Sequence, residues 1–573
     1  MKKKVILGIS DSHNAAAATL APDGGLIALQ EERLTGEKNY SGHPEKSIAW
    51  LLSSQNLTPE DVEQVALASY HQPPNRDRMG LIKEYRGITN TKSKLKKFLR
   101  DTKVFEWKKG KGKKQRIANL VNQGFKKEQL KFFEHHQCHA ATAYYGWGKF
   151  DDPILVLTCD GAGDGLCATV SVGKKGQMER LLTVEWSHSF PILYSVVTYM
   201  MGMVPLEHEY KMMGMAPYAK GKDAERMSKK LLALFEWDKS GLPTWKRADN
   251  VPHMYYIKDK LNELFFEERF DTIMAGTQLF TETMLKEYVA RAIQLTGIKK
   301  VALSGGVFMN VKANKEIMAM DEVDDLFIYP SCGDETNAIG AAYLAAVDKF
   351  GVETIKSLKN FYLGPDWSDE AVLASLSSYK KKDTLEITTP DNANREVAQL
   401  LADGNVVARF TGREEFGARS LGNRAILADP RKPEVIQVIN EMIKNRDFWM
   451  PFAASILDTH ADKYLENPKH IKSPYMILSF DGTEKGKSEV KAGMHPYDGT
   501  CRPQVVSQES NPEYWNLINI FSEITGVGAL LNTSLNLHGL PLVHSPEDAL
   551  YVLENSGLEY LVMGGVLVKK KKT

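Results

Sequence analysis

Short apolar runs that end at a glycine or an acidic turn recur along the chain. Residues 5–10, 154–158, 301–304 and 326–330 are four of them. Runs this short and this continuous read as buried strands rather than helices. After the first run comes a second apolar stretch at 15–20, then the Asp23-Gly24-Gly25 turn into residues 26–29, a hairpin pattern. From Ile154 the design repeats: a strand, an acidic glycine turn over 160–165, a second strand at 167–172 and a turn at 174–176. Helical patterns fall around 47–54, 118–123, 277–296 and 338–346.

Strand, turn, strand occurring twice predicts two related halves facing one another. By analogy this is the architecture of the actin and sugar-kinase superfamily, in which nucleotide lies between the halves. The pattern changes near Asn360–Trp367, which reads as a linker. A second α/β domain then opens with a helix from about Asn392 to Asp403 and a strand at 406–410. The expected domains are 1–355 and 356–573.

The turns carry candidate chemistry. His135 and His139 are four apart, so on a helix both imidazoles leave one face. Asp160 and Asp334 each end an apolar strand where a glycine turn begins. Two imidazoles and two carboxylates suit Fe(II), Mn(II) or Zn(II) better than Ca or Mg. His136 and Cys138 stay open as ligands on spacing alone. The run Ser304-Gly305-Gly306-Val307-Phe308-Met309-Asn310 takes a strand through two glycines into a helix, which lets backbone approach a nucleotide closely.

Composition narrows the class. The 573 residues carry 73 basic and 72 acidic groups, a formal charge of +1, so no global field attracts nucleic acid or anionic membrane. The Lys92–Lys131 segment is the exception, with fifteen basic and three acidic residues, and its glycine-containing 108–114 core reads as a solvated, flexible insertion or a lid. The 569–572 lysines read as a solubilising tail. Five cysteines without framework spacing fit a reducing cytoplasm. The first apolar run is broken after five residues and no run of eighteen apolar residues occurs, so neither a signal peptide nor a membrane span is expected.

A second cluster of chemistry lies downstream. The segment 411–424 sets Arg413, Arg419 and Arg424 among three glycines; Lys444-Asn445-Arg446-Asp447, Asp498-Gly499-Thr500-Cys501-Arg502 and Asn532-Thr533-Ser534-Leu535-Asn536 follow. Arginine forks and uncharged Asn, Ser and Thr donors suit phosphate oxygens, so a second anion site is expected here. The competing expectation is that these arginines pair with Glu414, Glu415 and Asp447.

In order, Glu31-Glu32-Arg33, His135-His136-x-x-His139-Ala140, Asp160-Gly161, Glu209-Tyr210-Lys211-Met212-Met213-Gly214, Gly305–Asn310, Arg419-Ser420-Leu421-Gly422-Asn423-Arg424, Asp498-Gly499-Thr500 and Asn532-Thr533-Ser534 resemble the O-carbamoyltransferases of antibiotic tailoring and nodulation-factor biosynthesis. The resemblance spans essentially the whole chain. It implies an α/β architecture: an N-terminal actin-like (ASKHA, Kae1-like) duplicated domain followed by a YrdC-like α/β domain. It implies that carbamoyl phosphate and ATP, with Mg²⁺, give carbamoyl-adenylate in the C-terminal domain. The N-terminal domain then passes the carbamoyl group to a hydroxyl of a small-molecule acceptor.

Carried over by position, His135, His139, Asp160 and Asp334 are the implied Fe(II) ligands, another divalent transition metal being the alternative. Gly163, Gly305, Gly306, Asn310 and Gly333 are the implied carbamoyl-adenylate contacts. Arg419, Lys444, Arg502, Asn532 and Ser534 are the implied carbamoyl-phosphate and ATP groups. His13 is the candidate base, and Asp11, Lys211 and Tyr218 the candidate acceptor contacts. A homodimer is compatible. The chain departs from the family pattern at Met450, where an arginine is usual, at Asn14 and at Leu540. Two other readings compete: a tRNA-directed transferase using the basic segment, and a non-catalytic nucleotide-binding regulator.

Overall fold

The computed structural model describes residues 4–71, 77–87, 103–444 and 446–571. Contacts divide the chain into two compact units, Met1–Glu31 with Asn39–Leu358, and Glu32–Lys38 with Lys359–Thr573.

The first unit holds two five-stranded sheets. One is built from β1 (Val5–Ser10), β2 (Ala16–Leu20), β3 (Leu26–Gln30), β4 (Val62–Ala68) and β5 (Leu130–Phe133), in the order β3-β2-β1-β4-β5. The other uses β6 (Ile154–Gly163), β7 (Leu166–Lys174) and β8 (Gln177–Glu185). A small hairpin, β9 (Phe235–Trp237) and β10 (Trp245–Arg247), intervenes before β11 (Lys300–Ser304) and β12 (Asp325–Ile328). The second sheet runs β12-β11-β6-β7-β8, the order of the first read in reverse. In each, the first three strands are an antiparallel meander and the last two lie parallel to the first. This is the duplicated actin-like design that the repeated strand-turn-strand pattern predicts. β1 is buried at every position, which is why its sequence is a continuous apolar run rather than an alternating one.

Each half ends in a helix, His135–Trp147 after β5 and Asn337–Phe350 after β12. Small residues let them close in. A Cβ on Gly8 would stand 1.9 Å from the Ala338 carbonyl oxygen, and one on Gly340 would stand 2.1 Å from the Cys138 carbonyl oxygen. The Asn337–Phe350 helix is thereby packed on β1 and on its counterpart helix.

Two expectations about charge are corrected. Residues 92–102 of the basic segment lie outside the described residues, but 103–122 form a helix that includes the 108–114 run. Lysine is a good helix former, and its propensity outweighs the two glycines. Nor is the segment all solvated: Arg116 is buried. Lys569 and Lys570 belong to a terminal strand rather than a free tail. Among the described residues no helix is long and apolar enough to cross a membrane.

The second unit centres on eight strands: β13 (Leu385–Thr388), β14 (Val407–Phe410), β15 (Arg424–Ala428), β16 (Ala453–Leu457), β19 (Gln504–Val506), β20 (Ala529–Ser534), β21 (Tyr560–Met563) and β22 (Val566–Lys570). A two-stranded piece, β17 (Phe480–Asp481) with β18 (Thr500–Cys501), stands apart. The main order is β13-β22-β21-β14-β15-β20-β16-β19. Ala408, Ile426, Leu531 and Leu561 from the sheet share a core with Val372 and Leu376 of the Asp369–Ser378 helix and Leu550 and Leu553 of the Pro546–Glu554 helix.

Candidate metal centre and anion site

The His135–Trp147 helix begins where β5 ends. Glu134 caps it, its carboxylate accepting the amides of His136 (3.0 Å) and Gln137 (2.8 Å). That fixes the first turn, from which His135 and His139 project together. Their Nε2 atoms are 3.1 Å apart. His135 Nε2 is 3.1 Å from Asp160 Oδ2 and 3.5 Å from Asp334 Oδ1; for His139 Nε2 the distances are 3.8 and 3.5 Å. One ligand atom from each of the four lies within 4.8 Å of all the others. Metal–ligand bonds of about 2.1 Å would put neighbouring ligand atoms roughly 3–3.4 Å apart. The observed spacing fits a transition metal with little movement.

Electrostatics agree with a cation. Burial opposes charge on His135, yet the Asp334 and Asp160 carboxylates raise it to about 9. Burial likewise opposes charge on His139, but hydrogen bonding to Asp160 and Asp334 raises it. Burial would raise Asp160, but its histidine partners hold it well below the usual carboxylate range. Outer hydrogen bonds orient the rings: Ser69 Oγ lies 3.0 Å from His135 Nδ1 and Ser304 Oγ 3.4 Å from His139 Nδ1. His136 turns away to Thr158 Oγ1 at 2.8 Å, and burial with the neighbouring histidines pushes it down to about 3. Neither it nor Cys138 joins the cluster.

The glycine turns crowd this centre. A Cβ on Gly163 would stand 2.0 Å from the His135 ring, and one on Gly306 2.8 Å from Asp160 Oδ1. Gly305 adopts φ +112° and sits against the Cys159 backbone. Gly333 immediately precedes the Asp334 turn. Asn310 caps the Val311–Met318 helix, accepting the Ala313 amide, and forms a reciprocal amide pair with Gln278, both bonds 2.9 Å.

The β1–β2 connection reaches the same centre, with Ser12 Oγ 3.5 Å from Asp334 Oδ2. His13 follows it, half-buried, and its Nε2 has no hydrogen-bond partner among the described residues. Asp11, expected at the acceptor, instead gives both oxygens to Arg116 at 2.7 Å, so no acceptor contact is assigned to it. Lys211 and Tyr218 lie half-buried on the consecutive short helices Glu209–Met215 and Ala216–Tyr218.

In the second unit the expected arginines divide. Arg413 donates to the carbonyls of Leu363 and Gly364, and Arg424 to those of Thr411 and Gly412 while lying 3.8 Å above the Phe410 ring. Both are structural. Glu414 pairs with Arg33 at 3.3 Å and with His544 at 2.8 Å. Glu415 Oε1 accepts the amides of Leu421, Asn423 and Arg424 at 2.8–3.1 Å. The loop amides between Arg419 and Arg424 are thus held by a carboxylate from their own chain. Arg419 and Arg502 remain half-buried. Asn532 is buried among Ser420, Ser455 and Gln504.

Lys444 ends a π-helical turn, Asn440–Lys444, an irregularity common at functional sites. It is 4% exposed, and its ammonium donates to the Ser534 carbonyl (2.5 Å) and Oγ (3.2 Å) and to the Asn536 carbonyl (3.2 Å) and Oδ1 (2.6 Å). All four acceptors are neutral. Burial, with Arg446 and Lys38 nearby, holds its pKa well below the usual lysine value. Its hydrogen-bond partners are neutral oxygens and its charged neighbours are cations, so a bound anion would stabilise the charged form of this lysine.

Two family models match the chain, carbamoyltransferase N-terminus over residues 5–343 and carbamoyltransferase C-terminus over 398–570. The chain belongs to the carbamoyltransferase family. It is 30% identical to nodulation protein NolNO of Sinorhizobium fredii across 97% of this chain and 79% of that one. An uncharacterized protein of Methanocaldococcus jannaschii is 33% identical, across 79% and 76%. Full-length HypF in its phosphate- and nucleotide-bound form overlays at a TM-score of 0.36 with 13% identity, covering 61% of this chain and 57% of that one.

Several residues of this carbamoyltransferase escape sequence reasoning. Asp164 accepts the amides of Tyr70, His71 and His135 at 2.8–2.9 Å and so pins the start of the His135–Trp147 helix to the residues just after β4. Its only sequence signal is an Asp-Gly step, shared by many turns. Ser69 and Gln278 carry no signal, because they matter through what they touch, while Ser304 opens the quoted 304–310 run without its role being visible there. Asn536 stands within the quoted 532–536 motif.

Proposed function

We propose that this carbamoyltransferase is an ATP-dependent O-carbamoyltransferase working through carbamoyl-adenylate. The observation that carries the reading is the pairing of two unlike sites in one chain: four side chains able to hold a metal in the first unit, and in the second a buried lysine with no carboxylate partner among the described residues. In the second unit, taken as YrdC-like, carbamoyl phosphate loses phosphate to water, and the resulting carbamate oxygen attacks the ATP α-phosphorus, expelling pyrophosphate. Lys444, Arg419 and Arg502 hold the phosphates, Ser534 orients the donor, Asn532 shapes the floor, and Mg²⁺ accompanies ATP.

In the first unit, taken as Kae1-like, Gly163, Gly305, Gly306, Gly333 and Asn310 bring backbone and an amide side chain close to the candidate metal ligands, where the adenylate would be held. An iron(II) ion held by His135, His139, Asp160 and Asp334 would supply Lewis acidity for the carbamoyl oxygen and the phosphate. His13 accepts the proton of the acceptor hydroxyl as its oxygen attacks the carbamoyl carbon and AMP departs with the C–O bonding pair. Lys211 and Tyr218 orient the acceptor. The test is transfer of labelled carbamoyl from carbamoyl phosphate to an alcohol by iron-loaded protein. His13→Ala should lower kcat severely while leaving iron content unchanged; transfer indifferent to His13 contradicts the assignment. The acceptor is a small molecule, matching the near-neutral charge.

A further inference from the structure

The first unit contains a cavity of about 540 Å³ that none of the chemistry above uses. Ile82, Tyr199, Met200, Met203 and Phe265 contribute to its walls, and Lys258 is the one Lys, Arg, Asp, Glu or His among its described lining residues. Among the described residues no carboxylate lines it. Lys258 Nζ lies 5.0 Å from the Tyr199 ring centroid, and Tyr199 in turn packs on Tyr85 at 5.8 Å. Glu207, three residues beyond the lining Val204, is paired with Arg78 at 3.3 Å.

Large apolar side chains flank the walls in sequence and face solvent. Phe266 is 74% exposed, Met79 69%, Phe270 57% and Leu206 43%. Each stands within three residues of a lining residue. Leu206 is moreover held at φ +62°, a conformation costly for a residue with a branched side chain.

A single helix links the cavity to the metal centre. Phe190–Met200 begins beside Asp160, where Ser189 Oγ is 3.5 Å from the Asp160 carbonyl oxygen, and it ends in the cavity wall at Tyr199 and Met200. Eleven residues at the α-helical rise span about 16 Å. A monosaccharide could not reach from one end to the other; an extended molecule with its hydroxyl at the metal could.

We infer that this cavity holds the apolar body of the hydroxyl acceptor, an amphiphilic molecule that is neutral or anionic rather than cationic. Methionines adapt to irregular apolar shapes, and the lone ammonium tolerates a neutral or negative group. A polycationic aminosugar would find no counter-charge there. The inference rests on the O-carbamoyltransferase reading for the identity of the occupant as acceptor.

Binding of n-octyl β-D-glucoside below its micellar concentration, compared with glucose, tests it by isothermal titration on the metal-loaded full chain. The glucoside should bind at least about tenfold more tightly than glucose. Met203→Glu should remove that advantage and Met203→Leu retain it, in variants with wild-type melting. Equal binding of the two sugars, or an advantage that survives both Met203→Glu and Phe265→Ala, overturns the inference. A change in oligomer size by light scattering in Met203→Glu, with glucoside binding unaltered, makes the patch a contact between copies and also overturns it. Carbamoyl-phosphate-dependent pyrophosphate release by the wild-type protein reads the underlying activity separately, so failure of one is not mistaken for failure of the other.

Discussion

Arg116 and Asp11 form a buried two-pronged ion pair, with Nε and Nη2 each 2.7 Å from a carboxylate oxygen. The same guanidinium donates to the carbonyls of Ala68 and Ser69 at 2.8 Å. It therefore ties the end of β1 to the end of β4, directly beside Ser69, which orients His135. Arg116→Ala leaves a buried carboxylate alone and should cost about 3–5 kcal/mol in urea unfolding. Replacing the pair together, Asp11→Leu with Arg116→Met, should cost less than either single change. A double variant as unstable as the sum of the singles would show that the pair is not the unit.

The metal cluster should respond to its ion as a folding ligand. Fe(II), Mn(II) or Zn(II) at about a hundred times its Kd should stabilise the protein by roughly 2.7 kcal/mol, read as a rise in Tm. Asp334→Ala should abolish most of that rise, since its oxygen lies 3.5 Å from both imidazole nitrogens. Differential scanning fluorimetry of metal-stripped protein measures it.

Glu282 supplies a pH signature. Burial raises its carboxyl from 4.5 to about 7, against the hydrogen bond from Gln278. Below pH 4.5 the group is protonated folded and unfolded. Between 4.5 and about 7 the unfolded chain releases the proton first, so the folded state binds more protons and stability falls as pH rises. Above about 7 the loss is complete. Glu282→Gln should thus gain stability over wild type at pH near 8 and little at pH near 4.5, read from urea midpoints. A gain of equal size at both would contradict the raised pKa.

Met450 occupies a position where the family pattern places arginine, after Arg446, which donates to Thr533 Oγ1 at 3.0 Å. Met450→Arg should strengthen carbamoyl-phosphate binding by about 1.5–3 kcal/mol, the value of one charge-assisted hydrogen bond. Isothermal titration with carbamoyl phosphate decides it, and unchanged affinity removes Met450 from the site.

Continuous apolar runs made β1, β11 and the first part of β6 legible, because strands buried on both faces show no alternation to misread. The candidate cluster left a related trace: His135 and His139 share one helix face at a spacing of four, and Asp160 and Asp334 each lie beside a glycine turn, and the fold brings all four together. Arg116 was not, since one arginine in a lysine-rich run looks like every other surface charge until the fold buries it. The same holds for Glu32–Lys38, seven residues of the N-terminal sequence that pack with the second unit through Arg33 and Glu414. Lys444 was visible as a motif, but its neutral cage includes the backbone carbonyls of Ser534 and Asn536, which a sequence does not advertise.

The two-site account is tested most directly by pyrophosphate release from ATP, with and without carbamoyl phosphate, on anaerobically purified protein without acceptor. The account predicts release that requires carbamoyl phosphate, is lost in Lys444→Met and persists in His139→Ala, because adenylate formation needs the buried lysine and not the metal. Release indifferent to Lys444, or lost equally in His139→Ala, would contradict the division of labour between the two units.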